Sequence, residues 1–105
     1  MFAQLAARLR AGEQVEVRPT GDSMTPVIRS RQLVTVSPVD PATLRKGDVV
    51  LAKVGGRHLL HKISALRGDR VQISNNHGHV NGWASRAQVY GIVSAIDGTP
   101  VKRPR

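Results

Sequence analysis

The stretch Thr20-Gly-Asp-Ser-Met-Thr-Pro-Val-Ile28 holds a serine where neither a helix nor a long strand is easily built. A hydroxyl becomes a nucleophile only with a base within hydrogen-bond reach and N–H donors facing the developing oxyanion. A serine at a sharp bend can meet both needs, because its Oγ projects and its own N–H is free to turn toward a carbonyl. The same residues also suit an ordinary turn, with Ser23 capping a short helical turn from Thr25-Pro26. Pro26 stiffens the bend, and Met24 is expected to pack behind the serine as a pocket wall.

A candidate base stands downstream in Leu51-Ala-Lys-Val-Gly-Gly-Arg-His-Leu-Leu-His-Lys-Ile-Ser-Ala65. If this is a hairpin turning at Gly55-Gly56, then Leu59, His61 and Ile63 share one face of the return strand and Leu60 and Lys62 the other. His61 therefore sits in an apolar row, a setting that a core histidine also occupies. Lys62 would be the competing base, but strand alternation turns it away from the face of His61. His77 and His79 share a strand face and invite a metal reading, yet no third ligand converges with them in the sequence, so no metal and no cofactor is expected. Gly47-Asp48 and Gly68-Asp69 read as turns, and neither aspartate is assigned to catalysis.

The elements that must position these residues are predominantly strands. Phe2, Leu5, Ala6 and Leu9 fall at i, i+3, i+4 and i+7, predicting an amphipathic helix in residues 1–13 that docks on its own domain and ends near Gly12. Beyond it the pattern alternates. Strands are predicted at 14–18, 33–36, 49–54, 57–65, 71–73 and 89–96, with Asn75 to Gly82 as a polar loop that Trp83 anchors to the core. Short strands and Gly-Asp turns argue one mainly β domain over 14–98, of coiled antiparallel sheets and barrel-like. Residues 99–105 are expected to be a basic flexible tail.

Composition bounds the rest. At 105 residues there is room for one domain with one modest core, and the absence of cysteine excludes disulfides, thiolate chemistry and Cys-ligated zinc. That fits a cytoplasmic protein. No apolar run reaches the ~20 residues of a membrane span, and the N-terminus lacks the order of a secretion signal. The formal net charge is +9, with Lys and Arg scattered except at Lys102-Arg103-Pro104-Arg105. Weak attraction to nucleic acid or an acidic partner follows, but three aromatics make no base-stacking platform.

Taken in order, GDSMTP, KGDVVLAKV, HKISALRGDRV, HVNGW and VYGIVSAI resemble the boxes of the LexA-type and signal-peptidase-like serine peptidases, over roughly residues 15–96. The resemblance implies a mostly β domain with coiled sheets and a nucleophile at Ser23. It implies a general base at His61, where most of the family has lysine and the endoplasmic-reticulum type has histidine. Asp22, Met24 and Gly21 then support the site. Gly21 stands where relatives often carry a second oxyanion-donor hydroxyl, leaving the hole to backbone N–H groups. The endoplasmic-reticulum type steadies its histidine with an acid from the loop that here reads SNNHGHVNGW, which has none. Asn75, Asn76 or Asp69 is left for that task. The implied substrate is an extended peptide or protein with small side chains at the cut. Self-cleavage at Ala11-Gly12 is disfavoured by the short tether to Ser23. The alternative is a catalytically weak LexA-type module that regulates by binding protein, near nucleic acid or not. A dimer is compatible with either.

Overall fold

The computed structural model describes residues 2–103. Its helix α1 (Phe2–Arg10) buries Leu5, Ala6 and Leu9, the stripe the spacing predicts. Gly12, at φ +88°, takes the left-handed conformation that ends helices and that a Cβ would strain.

Eight strands follow: β1 (Val15–Val17), β2 (Val34–Pro38), β3 (Val49–Val54), β4 (Arg57–Arg67), β5 (Arg70–Ser74), β6 (Val80–Ser85), β7 (Val89–Ile96) and β8 (Thr99–Pro100). All pairings are antiparallel, in the order β1-β2-β7-β3-β4-β5-β6, with β8 on β7. The sheet curls without closing into a barrel. Register shifts at Thr35/Val36, Leu51/Ala52, Ile63/Ala65 and Ile73/Ser74 bend and twist it, as extra residues in a ladder do. The curl carries β6, last in the order, back against β3. A Cβ on Gly82 would lie 3.1 Å from a methyl of Val54, so glycine here permits the close approach.

Two apolar clusters fill the two faces. One joins α1 to β1, β2, Leu51, Leu60 and Val93, and takes in Met24 and Ile28 from the loop before β2. The other gathers Val50, Ala52, Ile63, Val71, Ile73, Ala84 and Ile92. Alternation along β4 explains the division, since Leu60 points to the first cluster and Ile63 to the second.

Three expectations need correction. Val80–Ser85, read in part as polar loop, is strand β6, because pairing with β5 outweighs the weak strand preference of Asn81 and Gly82. Trp83 is not a core anchor. It is 36% exposed, with the Arg67 guanidinium 5.8 Å from the ring centre. The tail is not loose through Arg103: Thr99–Pro100 pairs with β7, and Arg103 forms an ion pair at 2.9 Å with Asp48, a side chain with no solvent exposure. Pro104 and Arg105 lie outside the described residues.

Candidate active site

Ser23 lies in a turn between β1 and β2, fixed from below by two buried side chains, Met24 and Ile28. Gly21 opens the turn at φ +101°, and the Thr25–Pro26 peptide is cis. The turn's carbonyls are held one after another. Asp22 O accepts from Thr25 N (3.1 Å), Thr25 Oγ1 (2.9 Å) and His77 Nε2 (2.9 Å). Ser23 O accepts from Asn76 N at 2.8 Å, Met24 O from Ile28 N at 3.0 Å, and Thr25 O from Asn76 Nδ2 at 3.0 Å.

A planar trans peptide points its N–H opposite to the carbonyl before it. Holding Asp22 O and Ser23 O against the β5–β6 loop therefore turns the N–H groups of Ser23 and Met24 outward. Neither is taken up by another group among the described residues. Gly21 N differs, since it donates to Ser30 Oγ at 3.1 Å.

His61 comes from β4, in register with Val50 of β3 and two residues before the buried Ile63. Its Nε2 is 3.1 Å from Ser23 Oγ, and its Nδ1 is 2.8 Å from Asn81 Oδ1. An amide oxygen only accepts, so Nδ1 carries the proton, and Nε2 presents its lone pair to the serine hydroxyl. Burial lowers the His61 pKa below its ordinary 6.5; the bond to Asn81 pulls it upward, and the charges of His79 and Arg57 push it down again. The net effect favours the uncharged ring.

The residues proposed to steady the ring are elsewhere. Asn75 Oδ1 accepts from His77 N (2.8 Å) and His79 N (2.9 Å), closing its own loop. Asn76 grips the Ser23 turn, and its Oδ1 accepts from Lys62 Nζ at 3.2 Å, on the far side of β4 from His61. Asp69 stays in the β4–β5 turn, its carbonyl accepting from Arg86 N. Asn81 occupies the place instead, because the curl of β6 lays it over His61. The loop quoted in the resemblance contained it, but a polar asparagine between valine and glycine gives no sign of facing inward. His77 is likewise engaged, on Asp22 O, and no group of three or more His, Asp or Glu side chains among the described residues could hold a metal ion.

Beside Ser23 the surface carries a small recess of about 30 Å³, with Met24, Ile28 and Leu60 in its walls, and a larger groove of about 620 Å³ that runs along β4.

The fold is thus a curled antiparallel sheet that brings a serine on a bent loop beside a histidine of β4. The Peptidase S24-like family profile matches residues 5–93, and the chain belongs to that family. No curated protein and no solved structure matches it.

Proposed function

We propose that this protein is a serine endopeptidase in which Ser23 is the nucleophile and His61 the general base. The 3.1 Å approach of Ser23 Oγ to the unprotonated nitrogen of His61 carries this reading. As Oγ attacks a peptide carbonyl, its proton passes to Nε2. The Nδ1–H donated to Asn81 holds the ring in the required tautomer and orientation. The tetrahedral oxygen meets the outward N–H groups of Ser23 and Met24. Collapse of the intermediate passes the proton from Nε2 to the departing amine and leaves an acyl-serine, which water hydrolyses by the same base in reverse.

Substrate enters as an extended strand. β5 pairs with β4 only from Lys62 onward, so Arg57–His61 bonds to β3 on one edge and offers the other to the groove. An extended peptide can add to such an edge through main-chain hydrogen bonds. The recess walled by Met24, Ile28 and Leu60 is small, which suits a small side chain at the cut.

One observation favours a second reading. Asn81 is neutral, so it orients imidazolium but stabilises it less than a carboxylate would. A slow enzyme, or a LexA-type binding module retaining the pair, is consistent with that. Incubation with an unfolded protein, followed by mass-spectrometric mapping of new termini, separates the two. The peptidase reading expects cuts after small residues that vanish in Ser23→Ala, and an intact substrate at high enzyme concentration contradicts it.

A further inference from the structure

The groove beside Ser23 is unevenly charged. Arg18, Arg57, His58 and His61 line it, and no Asp or Glu does. Arg18 donates to Arg31 O at 2.9 Å and acts on the charge of Asp97, so part of its charge is already answered. His58 packs against Tyr90 with ring centres 5.5 Å apart. The Arg57 side chain is exposed and makes no ion pair or hydrogen bond among the described residues, where the two ion pairs are Arg8–Glu13 and Arg103–Asp48.

Arg57 and His61 belong to the same unpaired edge of β4, four residues apart and therefore on one face. At ~3.3 Å per residue the two Cα atoms are separated by roughly 13 Å, and a peptide paired to this edge advances at the same rate. With the reacting bond opposite His61, a side chain about four residues away along the peptide lies across from Arg57. Cross-strand neighbours of opposite charge attract and like charges repel. The net charge of +9 adds a weaker, general attraction for an acidic segment.

Resting on the peptide-binding reading above, we infer that the groove selects extended peptides with an acidic side chain about four residues from the reacting bond, read by Arg57. Nucleic acid is the less suited polyanion, since Phe2 is the one aromatic ring of Phe, Tyr or Trp type in the lining.

Fluorescein-labelled peptides with a central Ala-Gly and either Glu or Lys four positions to one side, or to the other, test this. Their binding to Ser23→Ala is followed by anisotropy, and their cleavage by the unmodified protein by mass spectrometry. For one of the two placements, the Glu peptide is expected to bind roughly 3- to 10-fold tighter than the Lys peptide at low salt, a preference that falls steeply by 0.5 M NaCl. Arg57→Gln should level it and Arg57→Glu should reverse it. Equal binding of Glu and Lys peptides at both placements, a preference untouched in Arg57→Glu, or tighter binding of a single-stranded oligonucleotide of equal length overturns the inference. Charge-selective binding without any cleavage keeps it and removes the peptidase reading. Cleavage without charge selection does the reverse.

Discussion

Replacing Asn81 with Asp places a carboxylate where an amide oxygen now sits 2.8 Å from His61 Nδ1. The change is nearly isosteric, so the ring keeps its position while its partner gains a full charge. When His61 takes the proton of Ser23, the two charge centres lie ~4 Å apart, and at an effective dielectric near 20 the attraction is about 4 kcal/mol. His61 and Asn81 are each only partly buried, and the new carboxylate must itself be desolvated, so roughly 1–3 kcal/mol should survive. At 1.36 kcal/mol per tenfold, kcat on the pH plateau should rise roughly 5- to 150-fold. The same attraction stabilises resting imidazolium, so the acid limb of kcat/KM must move to higher pH. The assay is hydrolysis of an Ala-Gly fluorogenic peptide between pH 4.5 and 9, with Asn81→Leu as the opposite control. An Asn81→Asp variant with unchanged melting temperature, plateau and acid limb would refute the argument that Asn81 acts on the base.

Other outcomes follow from the same contacts. In the unmodified protein the acid limb should fall below pH 6.5, because burial lowers the His61 pKa. The linkage has a definite sign: the unfolded chain protonates this histidine first, so its effect on stability is absent above about pH 7, grows unfavourably as pH falls through 6.5, and levels off below the folded pKa; thermal melts in paired buffers of His61 and His61→Gln read it. Asn76→Ala removes the bond to Thr25 O and His77→Ala the bond to Asp22 O, so each should lower kcat about tenfold more than it raises KM, as steady-state kinetics will show. Arg103→Ala leaves the buried carboxylate of Asp48 with Arg45 N at 2.8 Å but without its ion pair. With Arg103 itself 36% exposed, the loss should be about 1–2 kcal/mol, read by urea denaturation.

β3 and β7 were legible as short runs of branched aliphatic residues, because both faces of each meet a buried cluster, and the helix was legible from its apolar stripe. The Gly55-Gly56 turn was legible as well, and both residues have positive φ. β6 was not, because its pairing with β5 is a relation between segments and four of its six residues, Asn81, Gly82, Ala84 and Ser85, are polar or small. Ser23 and His61 were legible as candidates from their settings, but only the resemblance paired them, since nothing local to either turn or strand brings together two positions 38 apart in sequence. Asn81 was hidden for a related reason: it reaches His61 through the curl of the sheet, which several register shifts produce together. The Asp48–Arg103 pair spans 55 residues and has no local signature.

The account turns on His61 drawing the proton from Ser23. The most direct measurement is the rate of covalent labelling by a fluorophosphonate, with the adduct located by peptide mass mapping, from pH 5 to 9. The account predicts a single adduct on Ser23, a rate that rises with pH to a plateau already reached by neutrality, and loss of labelling in a folded His61→Ala variant. Labelling that persists in His61→Ala at the original rate, or no adduct on Ser23 at any pH in that range, contradicts it.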